Sequence, residues 1–176
     1  QLLEGKGPFP VLRVEPAVSA ILSKSLKGQA SEREFWEAKA NQTVVNKFPI
    51  MTPLRVEERQ VLADTITSAL PYSQLRRATQ ASSITIQAVI QAAWTRVLAS
   101  YLGENSVVFG VALSGRTADE TKDAPFPCLN TVPIVASNVA SNTELVNYMM
   151  EYNQHLHKHQ FSSLSQVQKW LGHPAG

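Results

Sequence analysis

Val107-Val-Phe-Gly-Val-Ala-Leu-Ser-Gly-Arg116 and Pro127-Cys-Leu-Asn-Thr-Val-Pro-Ile-Val135 are the two stretches that decide the fold of this chain. Each contains a short apolar run beside turn-forming residues, which is typical of buried strands. The first run ends at Ser114–Arg116, and the pair Asn130–Thr131 interrupts the second. These polar residues therefore lie where two strands can present chemistry to a cleft.

The clearest helix is predicted at Thr85–Tyr101, shortly before the first of these strands. Its apolar residues recur at steps of three and four, which predicts one wide buried stripe. Ser83 or Thr85 caps its start, and Gly103 supplies the left-handed residue that ends it. A helix that leads into an all-apolar strand indicates an α/β fold with a sheet covered by helices. The predicted stripe comprises Ile86, Val89, Ile90, Ala93, Trp94, Val97, Leu98 and Tyr101.

Other elements are predicted by the same rules. Pro133 cannot donate to a ladder, so its strand is expected at a sheet edge or at a bulge. Ser31, with Glu34 three residues later, has the spacing of a capping box. Additional strands are predicted at Val44–Ile50 and within Arg59–Ala69. Further helices are predicted near Val18–Leu26, from Ser31 to Asn41, from Tyr72 to Thr79 after Pro71, from Asn142 as the cap through Leu156, and from Ser162 or Ser163 to Leu171.

The composition is that of a globular chain without a strongly charged partner. Of the 176 residues, 44% are hydrophobic and 17% charged, which supports a packed core. A net charge of +2, with Arg76-Arg77 as the nearest basic cluster, argues against nucleic-acid binding. The single cysteine, Cys128, lies in an apolar run and is predicted to be a buried structural thiol.

No stretch approaches the roughly 20 apolar residues of a membrane span, and no signal-peptide pattern opens the sequence, so a cytoplasmic location is expected. The sequence begins at Gln1 without a methionine and stops at Gly176, just after a strong helix signal. A piece of a longer protein is therefore expected.

Gly110–Arg116 contains the ingredients of two catalytic loops but matches neither. A phosphate-binding loop ends in Gly-Lys-Ser/Thr, whereas here the order is serine, glycine, arginine. A hydrolase elbow needs Gly-x-Ser-x-Gly, and no second glycine follows Ser114 at that spacing. The plain structural interpretation is a strand end that turns through Gly115, with Arg116 paired to a carboxylate.

Asn130 is the strongest candidate for a functional side chain. An amide inside an apolar strand needs a partner, because burying it unpaired costs about 1–3 kcal/mol. Neighbouring backbone can supply that partner. Alternatively, the amide faces a cleft and bonds a substrate amide or thioester carbonyl.

Three histidines, His155, His157 and His159, have spacing that invites a metal site. A zinc site needs three or four ligands, and no Glu-x-x-His pair or cysteine cluster accompanies them. A polar helix face on which His155 and His159 lie one turn apart is the preferred interpretation, and no metal is expected. Core packing is the expected role of Met149-Met150 and of the tryptophans.

Taken together, these motifs resemble the C-terminal half of condensation domains from nonribosomal peptide synthetases. Leu129–Pro133 is similar to the family's Asn-Thr-x-Pro motif in the form common in fungal synthetases, and Ser114–Arg116 precedes it in the family's order. His159-Gln160 with Leu164 is similar to a late His-Gln motif. Phe161–Ser163 departs from that motif, which often has an acidic residue and a proline there.

The resemblance extends from about Glu32 to Leu171 and implies a fold. It implies a chloramphenicol-acetyltransferase-like half-domain, an α/β structure with a mixed β-sheet covered by helices. Residues 1–30 would be a connector, and residues 31–176 would be part of the C-terminal lobe. In this family two lobes enclose a tunnel, into which carrier proteins deliver a donor thioester and an acceptor amine on phosphopantetheine arms. The amine attacks the thioester and a peptide bond forms.

The resemblance also implies which groups act and which are absent. The family's catalytic His-His-x-x-x-Asp-Gly motif belongs to the N-terminal lobe, and this sequence has no adjacent histidine pair. It therefore implies no catalytic residue here and no directly bound cofactor, with the carrier arms acting as substrates. The isolated chain is expected to be inactive, although its parent, a fungal synthetase of the siderophore type, would be an enzyme. The implied tunnel residues are Ser114, Gly115, Arg116, Asn130 and Thr131.

The implied partners are peptidyl or aminoacyl carrier domains and the missing N-terminal lobe. Two other functions remain open. Epimerisation, cyclisation or acyl transfer could use the same scaffold, because the half that distinguishes these reactions lies outside the sequence. A non-catalytic module that docks a carrier protein or completes a partner lobe would expose apolar surface along the interface.

Overall fold

The structure, a computed structural model, describes residues 14–27, 29–48, 63–117 and 119–172. Within these residues the chain forms α-helices, short 3₁₀ turns at Ala40–Gln42 and His157–His159, and two strands. In chain order the elements are α1 (Glu15–Lys27), α2 (Gln29–Glu37), α3 (Tyr72–Ala81), α4 (Ile86–Leu102), β1 (Ser106–Leu113), α5 (Asp119–Lys122), β2 (Asn130–Ser137), α6 (Asn142–Leu156) and α7 (Leu164–Trp170).

The chain divides into two compact units. Unit 1 takes the described residues of 1–41, 109–134 and 158–176, and unit 2 those of 42–108 and 135–157. The division falls within both β1 and β2, so each unit contains part of the strand pair.

β1 and β2 pair directly, as the two apolar runs predict, and they run antiparallel. In unit 2 the backbone N–H of Asn138 donates to the carbonyl of Asn105 (2.6 Å). In unit 1 Gly115 lies against Cys128. One constant register accounts for both pairs, and it places Leu113 opposite Asn130.

The outer edge of β1 is occupied in unit 2 by a side chain and not by a strand. The Asn46 side-chain amide donates to the carbonyl of Val108 and accepts a hydrogen bond from its N–H (3.3 Å). The strand predicted at Val44–Ile50 is therefore wrong for residues 44–48, because an amide side chain replaces the backbone ladder there; residues 49–50 lie outside the described residues. The strand predicted within Arg59–Ala69 is also absent from residues 63–69, which are exposed; its first residues lie outside the described part.

The outer edge of β2 is closed by proline and tyrosine. The hydroxyl of Tyr148 donates to the carbonyl of Val135 (2.8 Å), and the N–H of Val135 donates to the hydroxyl of Tyr152 (3.2 Å). Alternation along the strand turns the nitrogen of Pro133 toward the same edge, away from β1, where a missing N–H breaks no ladder bond. Among the described residues β2 is an edge strand, as the proline predicts.

α4 begins and ends where the sequence predicts, but it buries a different face. The Thr85 side chain accepts a hydrogen bond from the N–H of Ala88, and Gly103 ends the helix in the left-handed conformation (φ 68°). Small residues let α4 pack closely against α6, whereas several large apolar residues of the predicted stripe are exposed. The buried residues are Ala88, Gln91, Ala92, Thr95, Leu98 and Ala99, and the exposed ones include Ile90, Trp94, Val97 and Tyr101.

Unit 1 is built around α1, α2, α5 and α7. α1 is longer than the helix predicted near Val18–Leu26, and it packs against α2 and α5. A small core of Ala17, Ala124 and Cys128 lies beside it, which confirms the buried thiol. Of the connector predicted for residues 1–30, residues 1–13 and 28 lie outside the described residues. α2 begins at Gln29, two residues before the predicted cap, and buries Trp36 completely.

The last two helices lie where their signals predict, but the cap of α6 is Ser141 and not the predicted Asn142. Ser141 caps α6 and Ser163 caps α7, each by accepting a backbone N–H, and Gly172 follows α7 with φ of 80°. α6 stops at Leu156, however, and His159 lies on the following 3₁₀ turn. The predicted shared helix face of His155 and His159 is therefore wrong. No described helix is long and apolar enough to cross a membrane.

Candidate functional site

The strand ends in unit 1 have one open face and one closed face. Alternation places Gly110, Ala112 and Ser114 of the β1 segment on one side, with Leu129 and Thr131 beside them, and all five are exposed. Except for Leu129, these side chains are small. Gly110 lies close to Thr131, since a Cβ built on this glycine would be 3.1 Å from the threonine Cγ2. The open face is therefore a surface of mainly short, weakly polar side chains.

The opposite face of the same strands is closed. Leu113, Gly115, Cys128 and Val132 are buried there, and Asn130 is half-buried among them. The five candidate residues thus lie within one unit; Arg116 is exposed just after the turn, and the other four divide between the two faces. Ser114 and Thr131 face outward, whereas Gly115 and Asn130 face the interior.

Gly115 makes the turn that ends β1. Its φ of 65° is in the left-handed region that side chains disfavour, and an added Cβ would be 2.0 Å from the carbonyl oxygen of Cys128. The glycine therefore allows the turn to lie directly against the chain before β2. The predicted turn of the strand end through Gly115 is therefore observed.

Arg116 binds backbone and not the expected carboxylate. Its Nη1 donates to the carbonyls of Thr121 (3.2 Å), Lys122 (3.0 Å) and Ala124 (2.9 Å), and its Nη2 donates to that of Phe126 (3.2 Å). A guanidinium offers five N–H donors in a fixed fork, which suits it to hold several acceptors. Arg116 thereby fixes the connector between the two strands.

Asn130 has the same kind of role on the closed face. Its Nδ2 donates to the carbonyls of Gln160 (2.6 Å) and Ser162 (3.0 Å). The backbone partner considered for this amide is therefore present, and it belongs to the turn between α6 and α7. Asn130 ties that turn to β2.

Further contacts hold the same turn. Ser162 is fully buried; its hydroxyl donates to the carbonyl of His159 (2.9 Å) and accepts from the indole N–H of Trp36 (3.2 Å). The ring of His159 stacks on Phe35 with centroids 4.6 Å apart. Gln160 is buried and donates to the hydroxyl of Thr117 (3.0 Å), just after Arg116. The turn between α6 and α7 thus contacts α2, β2 and the loop between β1 and β2.

Glu32 is an unusual member of this cluster. Its side chain is 3% exposed, and its Oε2 has no hydrogen-bond partner among the described residues. Burial raises the pKa of this carboxyl group, while its hydrogen bond to Ser162 lowers the pKa by a smaller amount. The neutral acid is therefore favoured more than in an exposed glutamate.

Sequence reasoning did not assign Glu32 or Thr117 to a site, and it expected Trp36 only in the core and Ser162 only at the start of a helix. Glu32 and Trp36 lie in an ordinary amphipathic helix pattern, and hydroxyl residues such as Ser162 occur in most turns. Only the His159-Gln160 pair gave a signal, and it came from the resemblance and not from spacing. Within the described segments no three histidine, cysteine or acidic side chains are grouped to hold a metal ion.

Comparison with known protein families identifies the family of this chain. The family model for the condensation domain matches residues 20–175, so the chain belongs to the condensation-domain family. The predicted family is confirmed.

Curated relatives are fungal peptide synthetases. The chain is 77% identical over 167 residues to nonribosomal peptide synthetase 2 of Gibberella zeae, covering 95% of this chain and 3% of that protein. It is 31% identical over 166 residues to the hydroxamate-type ferrichrome siderophore peptide synthetase of Schizosaccharomyces pombe, covering 93% and 3%. The chain thus spans a small part of these synthetases.

Solved structures confirm the predicted fold class. The first condensation domain of the calcium-dependent antibiotic synthetase, in complex with a substrate analogue, superimposes with a TM-score of 0.70 at 18% identity. The match covers 97% of this chain and 41% of the other. The holo T3CT structure matches with a TM-score of 0.53 over 80% of this chain.

Proposed function

We propose that this chain is part of the C-terminal lobe of a condensation domain and forms one wall of a tunnel in which peptide bonds are made. The observation that carries this proposal is the open face of small residues, Gly110, Ala112, Ser114 and Thr131, in a chain of this family. Small exposed side chains leave room for an extended arm to lie close to the strands.

The substrates would be a donor thioester and an acceptor amine, each carried by a phosphopantetheine arm of a carrier domain. The amine nitrogen attacks the thioester carbonyl, the carbon–sulfur bond breaks, and the thiol leaves with the proton that the amine loses. Tethering both reactants replaces free encounter by a high effective concentration, so positioning supplies much of the rate. The wall also excludes water, which would otherwise hydrolyse the thioester.

The proposed tunnel residues have two separate roles. Ser114 and Thr131, which are exposed, would contact the arm or the substrate. Gly115, Arg116 and Asn130 would act indirectly, because their contacts are with backbone of the same unit. They keep the strand ends and the two adjoining loops in place.

The proton-handling histidines would come from another part of the synthetase, since the chain has no His-His-x-x-x-Asp-Gly segment. Carrier domains and the N-terminal lobe are accordingly the proposed partners, and a fungal siderophore synthetase in the cytoplasm is the proposed setting. Among the relatives, the names that mention ferrichrome favour this class of product.

The test uses a complete domain that contains this chain. The matching part of the Gibberella zeae condensation domain is replaced by this sequence, and two loaded carrier proteins are supplied. Mass spectrometry is expected to show an amide joining the two substrates on the acceptor carrier. Epimerised or cyclised product without a new intermolecular amide would contradict the proposal and favour a sister reaction, and loss of thioester only to hydrolysis would also contradict it.

A further inference from the structure

α4 carries an exposed apolar surface in unit 2. Ile90, Trp94, Val97 and Tyr101 are spaced four, three and four residues apart, so they line one side of the helix. Each is between 42% and 63% exposed. These four residues are called the α4 outer face below.

The composition of α4 is that of a buried helix. Its 17 residues contain one charged side chain, Arg96. The guanidinium of Arg96 donates hydrogen bonds to Asn138, Ala140 and Asn142, so its charge does not lie on the outer face. An apolar helix face of this kind is normally covered by another element. The described residues of unit 2 cover only the inner side of α4.

A groove beside the outer face extends the apolar surface. It lies between α4 and α6 and has a volume of about 390 Å³. Val89, Ala93 and Val146 are among its lining residues. Together, the outer face and the groove offer a ridge and a slot with which an apolar partner can interdigitate.

The coverage of the fold indicates the partner. This chain corresponds to 41% of the solved condensation-domain chain, so more than half of that polypeptide has no counterpart here. The outer face lacks charge, which disfavours a partner that binds through charged groups. Contiguous apolar surfaces of this kind are typical of an interface.

We infer that the α4 outer face is covered by an apolar segment of the same condensation domain that lies outside this chain. It is therefore an internal packing surface of the whole domain. The inference rests on the proposed function for its setting, because it takes the chain to be part of a larger domain.

The test measures protection of a thiol on this face. Val97→Cys is a small change at a half-exposed position, and the native Cys128 is buried and serves as an unreactive reference. The rate of alkylation by iodoacetamide is measured in the isolated chain and in the chimeric Gibberella zeae domain described above. Glu151→Cys, at an exposed position of α6, is the matched control.

Cysteine at position 97 is expected to react freely in the isolated chain and at least tenfold more slowly in the chimera, with position 151 equally reactive in both. Equal reactivity of position 97 in the two proteins would overturn the inference. Protection that appears in the isolated chain as its concentration rises would assign the face to a second copy and would also overturn it.

Amide formation by the same chimera separates this inference from the proposed function. An inactive chimera that protects position 97 would contradict the proposed function and leave the covered face standing. An active chimera in which position 97 reacts freely would contradict the inference alone.

Discussion

The strand ends of unit 1 and helix α4 of unit 2 are stabilised by different means. In unit 1, polar side chains bind backbone: Arg116 holds the connector between the strands, and Asn130 holds the turn after α6. In unit 2, α4 packs against α6 through small residues and leaves large apolar side chains exposed. The motif residues of unit 1 thus find their partners within the unit, whereas the apolar face of unit 2 requires a partner from elsewhere.

Gly115→Ala is expected to have the largest effect on stability, because it disrupts the turn that ends β1. The left-handed φ alone costs a non-glycine residue about 1–2 kcal/mol, and the added Cβ would also collide with the Cys128 carbonyl. Gly172→Ala is the control, since that glycine also has a left-handed φ but has open space around it. Urea unfolding should show a clearly larger loss for position 115. Equal losses of unfolding free energy at positions 115 and 172 would mean that the close approach between Gly115 and the Cys128 carbonyl does not contribute to stability.

Asn130→Asp is expected to be the next most damaging substitution. It replaces two donated hydrogen bonds by a carboxylate that faces two carbonyl oxygens. The expected loss in the free energy of unfolding is about 1–3 kcal/mol, and Asn130→Ala should be milder because it adds no repulsion. Hydrogen exchange should rise in the turn around Gln160. Asn147→Asp, on the exposed surface of α6, provides the control and should change neither quantity.

Glu32→Gln is expected to have the smallest effect, and one that depends on pH. Because burial raises the pKa of Glu32, the folded state binds this proton more tightly than the unfolded state does. The contribution of Glu32 to stability is therefore fully present below the ordinary pKa of 4.5 and is lost as the pH rises through the raised value.

Glutamine stays neutral, so the variant should gain stability relative to the native chain as the pH rises. Urea unfolding from about pH 4 to about pH 8 measures this difference. Glu34→Gln, at an exposed position of the same helix, should show no such trend. If the difference in unfolding free energy between the native chain and Glu32→Gln stays constant across that range, the raised pKa of Glu32 is contradicted.

Sequence patterns predicted the elements of the strand pair and of α4 well, because their signals are local. Thr85 caps the helix and Gly103 ends it, and two apolar runs give two strands whatever surrounds them. The buried side of α4 could not be predicted in the same way. Periodicity weighs bulky apolar residues most, whereas close packing against α6 selects small ones such as Ala92 and Ala99.

The contacts of the candidate site depended on residues far apart in sequence. The pattern singled out Asn130 and Arg116, but their partners are carbonyl groups, which every residue carries and no pattern distinguishes. The strand predicted at Val44–Ile50 failed for a similar reason. One amide, Asn46, satisfies the edge of β1 at Val108, so residues 44–48 need no ladder of their own.

The central claim is that substrates pass along the open face of unit 1, while Gly115, Arg116 and Asn130 only hold that face in place. Thr131→Trp in the chimeric domain tests it most directly, because the indole fills an exposed position among small residues without removing a buried contact. Thr143→Trp, at an exposed position of α6, is the matched control. Single-turnover amide formation should fall by at least tenfold for position 131 and stay near the native rate for position 143, with unfolding midpoints unchanged in both. A native rate for the Thr131→Trp domain would contradict the account.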